Sequence, residues 1–134
     1  MTTQTSHSTV KGNDGNKRCA WCVSDPQYMK YHDTEWGKPV TDDQKLYEKL
    51  CLEGFQAGLS WLTILRKREN FREAFANFDP EEVALFKSRD ITRLMKNEGI
   101  VRNRLKIEAA ITNAKATLKV QEELGTLSSL IWSF

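Results

Sequence analysis

Lys96-Asn97-Glu98-Gly99-Ile100-Val101-Arg102-Asn103-Arg104 joins two runs of helical character through a short connection that contains one glycine and is flanked by cations. The pattern reads as a helix-hairpin-helix. Main-chain N–H groups at Gly99 and Ile100 and at the start of the following helix would make a seat for an anion, and Arg102 and Arg104 add charge for neighbouring phosphates. A plain helical turn with a solvated, charged face fits the same residues, so the hairpin alone assigns no ligand.

Helix starts and stops recur on both sides of it. Upstream, a helix is expected from about Asp90, with Gly99 in the left-handed position after its end. Downstream, Ile107, Ile111, Ala114 and Leu118 share one stripe of a long helix that stops at Gly125, and a last helix opens at Thr126. Asp79-Pro80-Glu81-Glu82 supplies a cap, a proline in the first turn and two acids at the positive end of a short helix. Ser60 opens a helix carrying Trp61, Leu62, Ile64, Leu65, Phe71 and Phe75. Thr41-Asp42-Asp43-Gln44 has the form of a capping box, opening a helix to about Gly58. No segment alternates with a period of two, so the expected class is all-α: a helix-hairpin-helix bundle behind an irregular N-terminal segment.

The sequence has 134 residues and a formal net charge of +2. Residues 1–17 are mostly Thr, Ser, Asn, Gly and Lys and are expected to be a disordered tail, leaving 18–134 as one helical domain. No apolar run approaches the length of a membrane span and no signal peptide is evident, so an intracellular protein without membrane contact is expected. The three cysteines Cys19, Cys22 and Cys51 cannot all pair, which suits a reducing compartment. The segment from Lys87 to Lys106 carries Lys87, Arg89, Arg93, Lys96, Arg102, Arg104 and Lys106 against Asp90 and Glu98, a local basic surface.

Leu46, Leu50, Glu53 and Ala57 are spaced four, three and four, which places Glu53 in an apolar row expected to face inward. Tyr47, Cys51, Gly54 and Gly58 form another face, whose glycines would admit a close neighbouring helix. A buried carboxylate must be protonated, paired with a base such as Arg66 or Arg68, or ready for a cationic ligand. Trp61 stands eight residues further on, and Trp21, Tyr28, Tyr31 and Trp36 cluster within sixteen residues. Together they suggest a pocket for a flat, positively charged ring. Cys19, Cys22 and His32 are three soft-metal ligand types, fewer than the four of structural zinc. An unmetallated pair of thiols fits these residues as well.

Arg18-Cys19-x-Trp21, Asp25-Pro26-x-Tyr28-x-x-Tyr31-His32-Asp33-x-Glu35-Trp36-Gly37 and Leu52-Glu53-Gly54-x-Gln56-Ala57-Gly58-Leu59-Ser60-Trp61 resemble the signature segments of the 3-methyladenine DNA glycosylase I family. The likeness continues through Lys67-Arg68-Glu69-Asn70, Phe78-Asp79-Pro80, Gly99-Ile100 and Trp132-Ser133-Phe134. The resemblance implies a bacterial, cytoplasmic, monomeric base-excision enzyme that removes 3-methyladenine from alkylated double-stranded DNA. It implies a flipped base held among Trp21, Tyr28, Tyr31 and Trp61, with Glu53 as the carboxylate that recognises it. N3 alkylation makes the base cationic and a better leaving group, so aromatic rings and a carboxylate select the lesion that departs most readily, and water attacks the sugar C1′.

In that family a structural zinc is held by residues matching Cys19 and His32 together with a distal His and Cys that have no counterpart in this sequence; Cys22 is a candidate third ligand. No redox or nucleotide cofactor is implied. Two other readings of the same residues are a remnant that binds DNA without base release, and an aromatic cage for a methylated amine. Leu130, Ile131, Trp132 and Phe134 are expected to lie open.

Overall fold

The computed structural model describes residues 8–134; the first part of the expected tail lies outside the described residues. The chain divides into two compact units, residues up to Pro39 and Val40–Phe134, where one domain from 18 onward was expected.

Within the described part of the expected tail, residues 8–17, the N-terminal unit shows ordered backbone instead. Thr9–Lys11 (β1) and Lys17–Cys19 (β2) pair antiparallel, with Val10 opposite Arg18. The turn between them closes through Gly12 N–H to Asn16 O at 2.7 Å and Gly15 N–H to Gly12 O at 3.0 Å, with Gly15 at φ +86°. Polar pairing replaces a hydrophobic face here. Arg18 donates to Asp14 at 2.7 and 3.0 Å and to Asp33 at 2.9 and 3.0 Å, tying the ribbon to the helix that follows. The Arg18 guanidinium holds both carboxyls below the usual carboxylate range. That helix, α1 (Pro26–Thr34), is capped by Asp25, which accepts from Tyr28 N–H at 3.0 Å, and has Pro26 in its first turn.

The second unit holds α2 (Asp43–Gln56), α3 (Trp61–Ala74), α4 (Pro80–Val83), α5 (Ser88–Met95), α6 (Arg104–Leu124) and α7 (Leu127–Ile131). Asp42, Ser60, Asp79, Asn103 and Thr126 each accept a main-chain N–H from the first turn that follows; the expected capping box is not formed, since the cap of α2 is Asp42 in place of Thr41 and Gln44 donates to Asn77 O. Helix α6 is packed by α2, α4, α5 and α7. Tyr47, Leu52, Phe55, Ile64, Phe71, Phe75, Phe78, Leu94, Ile107 and Ala114 fill the core. Phe75 is central to an aromatic chain, its ring 5.7 Å from Phe55, 6.3 Å from Phe71, 5.5 Å from Phe78 and 6.1 Å from Phe86.

Between α3 and α4, Ala76, Asn77 and Phe78 have φ of +52°, +55° and +56°. Left-handed backbone is costly for L-residues with a Cβ, and most of all for a bulky one. It is held by Phe78 N–H to Phe75 O at 2.9 Å, Gln44 Nε2 to Asn77 O at 2.8 Å, and burial of the Phe78 ring between Phe75 and Tyr47.

The end of the chain is fastened by Asp43. Its carboxylate accepts from Leu127 N–H and Ser128 N–H at 2.9 Å each and from Gln121 Nε2 at 2.8 Å. Trp132 Nε1 donates to Val40 O at 2.7 Å. Leu130 and Ile131 are accordingly half-buried, while Trp132 and Phe134 are exposed as expected.

Burial raises the Asp43 pKa, but the Gln121 amide and the two main-chain N–H groups more than offset this, and the net shift is downward. A depressed carboxylate stabilises the fold above its unfolded value of about 3.9, and that contribution is lost as pH falls through the folded value. Asp43→Ala is expected to lower the unfolding free energy by about 1–2 kcal/mol at pH 7. Urea unfolding should show this gap between variant and parent narrowing below about pH 4; a gap independent of pH would remove Asp43 as the fastener.

Candidate functional site

The rings named from the sequence are built as a cluster in the N-terminal unit. Trp21 lies 4.9 Å from Tyr28, 5.5 Å from His32 and 5.6 Å from Trp36, and Tyr28 lies 6.3 Å from Tyr31. Helix α1 explains this, since Tyr28, Tyr31 and His32 fall three and four apart and project to one side. Tyr31 is buried, Trp21 and Tyr28 are half-buried, and Trp36 is exposed. Burial, followed by Tyr31 and Cys22, pushes the Tyr28 phenol up.

The metal reading concerns the same unit. His32 stacks on Trp36 at 5.5 Å, and its Nδ1 lies 3.0 Å from Asp33 Oδ1. Cys19 is half-buried; Cys22 is buried, and its thiol donates to the Cys19 carbonyl at 3.2 Å, with desolvation pushing its pKa up. Among the described residues no three His, Cys, Asp or Glu side chains are placed to hold a metal ion.

In the second unit, Glu53 and Trp61 stand on either side of the turn between α2 and α3. The expectation that Glu53 faces inward is corrected. The buried stripe of α2 is Tyr47, Cys51 and Phe55, flanked by Leu46 and Leu52. Leu50, Glu53 and Ala57 lie on the opposite side, all exposed, with Leu50 at 49%. Leu46 borders both stripes, and the two large rings of Tyr47 and Phe55 decide which one turns inward, because they remove more apolar surface from water.

Nor is Glu53 locked by a base. Among the described residues its carboxylate makes no ion pair, with Arg66 or Arg68 or any other cation, and no side-chain hydrogen bond. Trp61 is half-buried, with Lys49 Nζ 4.6 Å from its ring centroid. One more expectation changes with α2: it ends at Gln56, so Gly58 sits beyond it at φ +83°, serving the turn, and Gly54 faces open space instead of a close helix.

The hairpin is present, with different detail. Helix α5 begins at Ser88 and ends at Met95, short of Gly99, and Gly99 does not take a positive φ. A Cβ there would lie 3.0–3.1 Å from Asn70 side-chain atoms, a tight contact that glycine avoids where the connection approaches α3. The anion seat is partly filled: Gly99 N–H donates to Asn97 Oδ1 at 2.8 Å, and Ile100 N–H points to Asn97 O at 3.4 Å. Ile100 is buried in the core and anchors the connection; its side chain is not a surface contact. Arg102 and Arg104 are exposed, with Arg104 Nε 3.4 Å from Glu108 Oε2, an exposed pair of little strength. Lys106, counted above with the basic surface, is turned away to a task described below. No helix among the described residues is long and apolar enough to cross a membrane.

A hairpin with exposed arginines, a carboxylate and an indole about one turn, and a ring cluster in the preceding unit define a helical chain of the helix-hairpin-helix glycosylase class. A family model described as Methyladenine glycosylase matches residues 21–134, and the chain belongs to that family. It is 52% identical over 117 residues to the DNA-3-methyladenine glycosylase of Haemophilus influenzae, covering 87% of this chain and 63% of that protein. It is 50% identical over 118 residues to DNA-3-methyladenine glycosylase 1 of Escherichia coli, covering 88% and 63%. Among solved structures, 3-methyladenine DNA glycosylase I from Staphylococcus aureus superposes with a TM-score of 0.83 at 46% identity, covering 86% of this chain and 61% of that one. A variant of 3-methyladenine DNA glycosylase I solved in complex with 3-methyladenine gives a TM-score of 0.83 at 45% identity, covering 86% and 62%. The chain thus spans a little under two thirds of the length of the curated relatives it matches.

Proposed function

We propose that this chain is the hairpin- and pocket-bearing part of a DNA-3-methyladenine glycosylase, acting on alkylated adenine in double-stranded DNA. The observation that carries the reading is identity of about half the residues over nearly nine tenths of the chain to enzymes of that name. In this reading Trp21, Tyr28, Tyr31 and Trp61 hold the extruded base, and Glu53 contacts it. Gly99 and Ile100 shape the hairpin, and Arg102 and Arg104 meet phosphates. The bond from C1′ to the base nitrogen breaks with its electron pair going to the already cationic base, and water adds to C1′ as it gives up a proton. The chemistry asked of the protein is small because alkylation has already made the leaving group good.

The test is incubation with methylated duplex DNA followed by chromatography of released bases. Release of 3-methyladenine is expected; its absence, under conditions where the Escherichia coli relative releases it, would remove the activity from this chain. Salt-dependent duplex binding without release would instead support a second reading, DNA binding alone, which the exposure of Glu53 favours. A bacterial cytoplasmic location and a monomeric state belong to the same proposal, as does a structural zinc with Cys19 and His32 as two of its ligands. Elemental analysis of the purified protein decides the last point: less than one zinc in ten chains would discard it.

A further inference from the structure

Lys106 sits in the first turn of α6, just past the hairpin, and its ammonium does not face outward with Arg102 and Arg104. Its Nζ donates to Phe55 O at 2.9 Å and to Ala57 O at 2.5 Å, the carbonyls at the C-terminal end of α2. A helix end presents unpaired carbonyls and partial negative charge, so a cation bound there is stabilised by both. Lys106 makes no ion pair with a carboxylate among the described residues. Its main chain is also fixed, because Lys106 N–H donates to Asn103 Oδ1 at 3.1 Å, the cap of α6. One residue therefore links the hairpin's exit to the turn on which Glu53 and Trp61 are mounted, each four positions from Ala57.

The turn is otherwise closed by local bonds, with Ser60 Oγ accepting from Thr63 N–H at 3.1 Å. Gly58, Leu59 and Ser60 are exposed, Gly58 is left-handed, and a Leu59 N–H to Gln56 O contact of 2.6 Å is its local closure. We propose that Lys106 is a positioning residue, which holds the α2–α3 turn against α6 so that Glu53 and Trp61 are set for the base when the hairpin is on DNA. The consequence for base binding rests on the function proposed above; the hold on the turn does not.

The test uses Lys106→Met, which keeps the aliphatic stem and loses the ammonium, and Lys106→Arg, which retains a cation able to reach two carbonyls. Hydrogen exchange at the Leu59 amide should quicken about tenfold in Lys106→Met, the effect of one lost charge-assisted hydrogen bond, with exchange at Ile111 unchanged. Affinity for free 3-methyladenine should fall about tenfold, while the salt slope of undamaged-duplex binding stays as in the parent. Lys106→Arg should recover most of both losses, which a general destabilisation would not allow.

Unchanged exchange at Leu59 would overturn the proposal. So would a salt slope reduced by about one, which would place the ammonium on a phosphate. If Lys106→Met does not fold, Lys106→Gln carries the same comparison with a neutral donor. A parent protein that fails to bind 3-methyladenine would sink the glycosylase reading, with Leu59 exchange still deciding the role of Lys106.

Discussion

Glu53→Gln is expected to weaken binding of duplex carrying 3-methyladenine, whose base is cationic while still joined to the sugar, and to leave affinity for undamaged duplex within about twofold, since the hairpin contacts are untouched. The size of the loss is informative because Glu53 is exposed and, among the described residues, makes no ion pair. Two unit charges 4 Å apart interact by about 1 kcal/mol in water and about 4 kcal/mol at the effective dielectric of a protein surface. A loss near fivefold would mean that the carboxylate meets the base while still hydrated. A loss approaching a thousandfold would mean that base, rings and flanking groups exclude water on binding. Titration of methylated and of undamaged duplex into parent and variant measures both, and equal loss for the two ligands would make Glu53 a structural residue.

The second large effect is on stability. Phe75→Ala should cost about 3–5 kcal/mol, because four rings border the space it would vacate and they belong to α2, to α3 and to the segments flanking α4. Domains of this size are stable by about 5–15 kcal/mol, so the variant should be close to unfolding at physiological temperature. Urea unfolding at 25 °C reads this directly. A cost below about 1 kcal/mol would mean that neighbouring side chains close over the gap and that Phe75 is not the hub its distances suggest.

Much of the second unit was legible in the sequence, and the reason is local chemistry. Ser60, Asp79 and Thr126 cap helices because their short side chains reach the N–H groups of the first turn, which depends on a few adjacent residues. The β1–β2 ribbon was missed because it is not built on an apolar pattern. Its bonds run through Asp14, Arg18 and Asp33, and the available signal was Asp14-Gly15 between two short extended runs, a favoured hairpin turn. Glu53 was misplaced because one helix carried two overlapping apolar stripes, and spacing alone does not say which becomes the core. Lys106 was unreadable for a different reason: its partners are main-chain carbonyls 49 and 51 positions earlier, and carbonyls carry no residue identity.

Ala76, Asn77 and Phe78 bear on how this sequence tolerates change. For three residues the backbone of an L-polypeptide takes the torsion angles natural to its enantiomer, at roughly 1–2 kcal/mol each. Inversion of configuration at the α-carbon of residue 76, which would wreck an ordinary helix, would there relieve a steric conflict, and a branched aliphatic substitution would deepen it. The segment joining α3 to α4 is thus a point where stereochemistry, more than hydrophobicity, limits which residues can stand.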